Sequence, residues 1–267
     1  MSATTGPHAS ATPWKPDLKI AALLGAVSAL AVAALVPYLM QLMPEKFAGL
    51  PVPLPVLVAA QSLQALVLIG LMSLAGLRMG HHVGLGAPLL QHWFGKRPLA
   101  APLRPLQAAW LGIAAALLIV ALSALIDPFL PKPLHAPAAA GAGRSAINGL
   151  LASFYGGVAE ELQLRLFLMT LLVWTVATLK KAKPAPRVYW IAIAIAAVLF
   201  GIGHLPAAHA VWGLDAIVVF RTVLLNAIAG LACGWLYWKR GLEMAIVAHF
   251  SADIVLHVLS PLPGGGA

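Results

Sequence analysis

The sequence predicts an all-α, polytopic membrane helix bundle of about seven transmembrane helices with its N-terminus inside, and three observations carry that prediction. Of the 267 residues, 61% are hydrophobic and only 9% are charged, against roughly 25% charged in an ordinary soluble domain. The apolar residues gather into runs close to the roughly 20 residues that cross a bilayer as a helix. Basic residues collect in every second loop between those runs, as cytoplasmic loops do. The formal charge of +9, from 17 Lys and Arg against 8 Asp and Glu, therefore follows from membrane topology and does not point to a nucleic-acid partner.

The first run, Ile20 to Met43, exceeds the roughly 7–15 residues of a signal-peptide core, and no small-residue cleavage pattern clearly ends it. It is expected to be an uncleaved span. The second and third run from Leu54 to Leu77 and from Leu106 to Ile126. The fourth, Asn148 to Thr178, is long enough for an extra interfacial turn. The fifth, Val188 to Gly203, is short, and Pro206 is expected to stop it. Ile217 to Trp238 and Leu242 to Ser260 complete the set.

Lys15 and Lys19 precede the first span; Arg78, Lys96, Arg97 and Arg104 follow the second; Lys180, Lys181, Lys183 and Arg187 follow the fourth; Lys239 and Arg240 follow the sixth. The intervening loops carry Glu45 with Lys46, Asp127 with Lys132 and Arg144, and Asp215 alone. An inside N-terminus and an outside C-terminus fit the whole chain. The tails Met1 to Pro16 and Pro-Gly-Gly-Gly are expected to lack fixed structure. A single cysteine, Cys233, excludes an intrachain disulfide and Cys-rich metal sites. There is no evident internal repeat, which counts against transporter folds built from inverted halves.

Chemistry is sought where charge is costly. Glu160 and Glu161 sit adjacent inside an apolar run, where each carboxylate costs at least about 2.5 kcal/mol near the bilayer centre. Glu161 and Arg165 are four apart and share a face, with the acid on the favoured N-terminal side. Glu160 is rotated by about 100° from that pair and stays available. A buried ion cluster that only joins helices is the alternative, but one acid already satisfies Arg165. Phe200 and His204 share a face at the end of the fifth span, where a lone histidine could equally be interfacial. His249 and Asp253 share a face of the seventh, with His257 near the same stripe; a His–Asp pair that merely packs the helix is the alternative there. Together these groups lie on the fourth, fifth and seventh spans, which a bundle could converge on one cavity. Asn226 is expected to bond between helices and Arg221 to make a bundle contact. His81 and His82 are expected to be solvated, and His209 to lie in a loop.

Glu160-Glu161-x-x-x-Arg165, Phe200-x-x-x-His204 and His249-x-x-x-Asp253, in that order on separate helices, resemble the three motifs of the CPBP intramembrane proteases, the family of CAAX prenyl proteases and bacteriocin-processing or Abi proteins. The run from Gly230 to Leu242 is similar to that family's connection before the third motif, and the resemblance covers about Asn148 to Ser260. Leu164 and Leu166 flank Arg165 where the family usually has Phe and Gly, and Asp253 stands where it often has Asn. The resemblance divides the chain into a cytoplasmic tail (1–19), a variable membrane region of three spans (20–145), a catalytic region of four spans (146–260) and a flexible tail (261–267).

What the resemblance implies is endopeptidase hydrolysis of a membrane-associated protein or peptide. No Ser–His–Asp or Cys–His arrangement stands among the motifs, which disfavours covalent catalysis. Glu160 is then the general base, with His204 sharing the water; Arg165, neutralised by Glu161, orients its helix; His249, assisted by Asp253, stabilises the oxyanion. Zinc held by Glu160, His204 and His249 is the alternative way to activate the water. The expected partners are the bilayer and a peptide or protein substrate, with no nucleic acid, in a bacterial inner membrane. A proton- or ion-coupled transporter, or a non-catalytic immunity or scaffold protein, remains the competing reading. Family sites open toward the cytoplasm, whereas the loop charges put His204 near the outer end of its span.

Overall fold

The computed structural model describes residues 13–99, 102–134 and 141–259, so the expectations for residues 1–12 and for the C-terminal Pro-Gly-Gly-Gly lie outside the described residues, while Trp14, Lys15 and Pro16, expected in the unstructured tail, are helical. Seven helices among these are long and apolar enough to cross a membrane: α1 (Trp14–Leu42), α2 (Leu54–Val83), α3 (Pro105–Ile126), α4 (Gly143–Lys180), α5 (Pro186–Gly203), α6 (Ala216–Arg240) and α7 (Leu242–Leu259). No strand occurs among the described residues. The protein is an integral membrane protein. Large side chains such as Leu30, Leu63, Trp110 and Leu117 point outward, where lipid replaces water as the surrounding medium.

Two helix boundaries are corrected, and with them the expected settings of His81 and His209. Helix α1 begins at Trp14, not at Ile20, because Asp17 belongs to a buried polar cluster and not to a tail. Its Oδ2 accepts from Arg78 Nη1 at 2.9 Å and lies 2.8 Å from His81 Nε2, while His81 Nδ1 lies 2.8 Å from Arg97 Nη1. His81 is thus a bridge between α1, α2 and the basic loop, not a solvated histidine. The second correction concerns Pro206. The chain breaks at His204 but restarts as a short helix, Leu205–Trp212, in whose first turn the missing proline N–H would have had no partner anyway. His209 therefore sits on a helix.

Helix α1 packs along α2, α5 along α6, and α7 against both α3 and α6, while the first half of α4 lies against α1. Without a hydrophobic drive between helices in lipid, close backbone approach supplies the packing energy. Gly112 of α3 rests on the carbonyl of Ala248, and Gly149 of α4 on that of His257. Any Cβ at either glycine would collide with α7 backbone. These two contacts fix where α7 stands, and with it His249 and Asp253. The core of Leu77, Leu162, Leu166, Met169, Ile193 and Leu236 encloses the middle of α4.

Candidate active site

Helix α4 carries the first motif through two π-helical stretches, Tyr155–Glu160 and Leu162–Met169, a wider winding that recurs at functional sites. Thr170 Oγ1 donates back to the Arg165 carbonyl at 3.2 Å and lies 2.6 Å from the Tyr237 hydroxyl. Glu161 and Arg165 are almost completely buried, with Oε1 and Nη1 2.9 Å apart. Arg165 Nη2 also donates to the Gly230 carbonyl at 3.2 Å, and its guanidinium lies 5.2 Å from the centre of the Phe200 ring. A buried charge of this kind persists only when paired and hydrogen-bonded.

The sequence motifs leave one connection out. His249 Nδ1 lies 2.7 Å from Glu161 Oε1, so Glu161 serves both Arg165 and His249. A carboxylate beside Nδ1 fixes the proton there and turns Nε2 toward the cavity. Asp253, expected to assist His249, is farther off: its Oδ1 lies 3.7 Å from His249 Nε2 and 3.9 Å from His257 Nε2. His204 is oriented by its own helix, with Nδ1 2.8 Å from the Phe200 carbonyl. A carbonyl only accepts, so this nitrogen carries the proton and Nε2 is left to accept. The Phe200 ring packs edge-on against both imidazoles, His204 at 4.7 Å and His249 at 5.6 Å between centroids.

Glu160 stands between the two histidines. Its Oε1 is 4.0 Å from His204 Nε2 and its Oε2 3.8 Å from His249 Nε2. These separations exceed a direct hydrogen bond, and a water at the apex of each triangle can reach both partners. The carboxylate faces a cavity of about 440 Å³, within the range of small-ligand and peptide sites. Arg221 and Asn226 also line it. Arg221 makes the expected bundle contact, donating to Asp127 at 2.6 and 3.1 Å. Asn226 instead donates to the Thr222 carbonyl of its own helix.

Two contributors escape sequence reasoning. Tyr38 of α1, from the region without motifs, lines the cavity and lies 3.4 Å from His257 Nδ1; nothing local marks it. Gly156 has a visible signal, the Gly156-Gly157 pair one turn before the glutamates, but its partners are long-range. A Cβ there would stand 2.6 Å from Asp253 Oδ2 and 3.2 Å from His249 Nε2. Gly156→Ala is therefore expected to displace the Asp253 carboxylate and crowd His249 Nε2, lowering turnover by up to about 10²-fold, the upper scale for a misplaced group. Turnover of purified protein with an unchanged melting temperature checks it; full activity would show that His249 has room to move.

The zinc alternative can be compared with this geometry. Two imidazoles and a carboxylate are suitable ligand types. Among the described residues, however, the trio whose ligand atoms all lie within 4.8 Å of one another is Glu161, Cys233 and His249, not Glu160, His204 and His249. Glu161 in that trio is already held by Arg165, and neither it nor Cys233 lines the cavity. As placed, Glu160, His204 and His249 do not form such a trio on the cavity.

Residues 142–255 match the family model described as type II CAAX prenyl endopeptidase Rce1-like. Comparison with curated proteins and with solved structures gave no match. The family match agrees with the resemblance carried by the three motifs, and it supports a CAAX-type intramembrane endopeptidase as the general activity.

Proposed function

With residues 142–255 matching the Rce1-like CAAX endopeptidases, we propose that this protein hydrolyses a peptide bond of a membrane-associated protein or peptide by a water that Glu160 activates. The observation that supports it is the placing of Glu160 on the cavity with His204 Nε2 and His249 Nε2 on either side at 4.0 and 3.8 Å. The water donates one proton toward Glu160 and the other toward His204, whose Nε2 is an acceptor. As the water oxygen attacks the scissile carbonyl carbon, Glu160 takes up the proton and can return it to the leaving nitrogen.

His249 acts on the other side of the carbonyl. With Nδ1–H committed to Glu161, donation from Nε2 to the developing oxyanion requires the doubly protonated ring, and Glu160, Glu161 and Asp253 surround it with counter-charge. Such a donor, fixed before the reaction, stabilises charge that appears only in the transition state. Arg165 and Glu161 touch no substrate in this reading; they are positioning residues. The reading includes the bilayer and a peptide substrate as partners and a bacterial inner membrane as the location.

Metal dependence gives the test. Cleavage of a defined membrane-anchored peptide by purified protein in detergent is expected to persist after exhaustive chelation, with no stoichiometric metal found by elemental analysis, because glutamate activation needs no Lewis acid. Activity lost on chelation and restored by one equivalent of zinc would overturn this mechanism and recast Glu160 as a ligand or as the base beside a metal.

A further inference from the structure

The position of the cavity along the helices points to a substrate side. Each helix that lines it does so from the end remote from the basic loops. In α1 the lining residue Tyr38 lies near the C-terminal end, with Lys15 and Lys19 at the other. Ile119 lies in the later half of α3, which Arg104 precedes, and Tyr155 in the earlier half of α4, which ends at Lys180. Leu199 and Gly203 lie in the C-terminal part of α5, opposite Arg187. Arg221 belongs to the first half of α6, which ends in Lys239 and Arg240, and His257 to the far end of α7, which begins just after them.

Six helices of alternating direction thus agree. The cavity occupies one half of the bundle, and the basic loops border the other. The loops on the cavity side hold only Lys46, Lys132 and Arg144, against twelve Lys and Arg on the other side, and Arg221 is paired with Asp127. The count of Lys and Arg in short loops, not their net charge, sets the cytoplasmic side.

We infer that the catalytic cavity opens to the extracytoplasmic side, and that its substrate is an extracytoplasmic juxtamembrane or membrane-anchored peptide segment, not a C-terminal tail presented from the cytoplasm. This rests on the proteolytic reading for the word substrate, and on loop charge and geometry alone for the side. It reverses the cytoplasmic opening that the family resemblance implies. The walls fit such a segment: Leu35, Leu39 and Leu42 from α1 and Val211 and Trp212 from the short helix give apolar lining to the cavity that Glu160 and His204 share.

The test uses a membrane-impermeant maleimide on the full chain. Cys233 is buried, so the parent supplies the background. Ala207→Cys and, as a second rim position, Leu42→Cys report the cavity mouth; Lys181→Cys reports the basic side. The rim cysteines are expected to be labelled in intact cells and Lys181→Cys only in inside-out vesicles. Rim labelling confined to inside-out vesicles, or absent from both preparations, would overturn the inference. Peptide cleavage is assayed separately in detergent, where sidedness is lost. Absent cleavage with the expected labelling would therefore sink the proteolytic reading, while intact cleavage with reversed labelling would sink only the side.

Discussion

Glu160→Gln is expected to remove proteolysis while leaving the fold intact. The amide keeps the shape of the side chain but cannot take up the proton of the attacking water, and a positioned base contributes roughly 10²–10⁴-fold to rate. Folding does not depend on this carboxylate, since its charged neighbours His204 and His249 lie at 4.0 and 3.8 Å, beyond direct hydrogen-bonding distance. Turnover should fall with substrate affinity nearly unchanged, because the lost interaction belongs to the transition state. The measurement is kcat and KM on a defined membrane-anchored peptide, beside a thermal melt in detergent. Retention of more than about a tenth of parental turnover would exclude Glu160 as the base, being far above what loss of a general base leaves.

Glu161→Gln is expected to damage stability and activity together. Removing one partner of a buried ion pair costs about 3–5 kcal/mol, because the remaining charge is stranded; here Arg165 would keep the Gly230 carbonyl but lose its counter-ion. The detergent melting temperature should drop clearly, and His249 should lose the carboxylate that holds its Nδ1. A double replacement, Glu161→Leu with Arg165→Met, separates the two effects. It should recover much of the stability, since apolar substitutes for a buried pair are often neutral or better, yet stay inactive because His249 remains unoriented. A Glu161→Gln melt equal to the parent would show that the pair does not hold the bundle. An active double variant would show that Glu161 does not orient His249.

Much of this site was legible because it is built from short-range spacing. Glu161 with Arg165, Phe200 with His204 and His249 with Asp253 are each four residues apart, and helical geometry alone puts such residues on one face. The cost of ionisable groups in lipid singled them out among apolar neighbours. Less legible was everything that depends on which helix lies beside which. Glu161 bonding His249 joins residues 88 positions apart, Tyr38 meeting His257 joins residues 219 apart, and His81 meets Asp17 across two helices. Pro206 misled because proline both ends helices and opens them, and local sequence does not say which.

By itself the sequence determined the membrane setting, the seven spans, the gathering of basic residues in alternate loops and the identity of the three motif pairs. These follow from composition, from the length needed to cross lipid and from the period of a helix, all properties of single segments. Only the tertiary structure decided that Glu160 faces the cavity while Glu161 turns into the core, that one carboxylate serves both Arg165 and His249, and that the cavity sits in the half remote from the basic loops. Those outcomes depend on where helices touch. Gly112 against Ala248 and Gly149 against His257 admit one close approach of α7, and packing between separate helices leaves no periodic trace in either one.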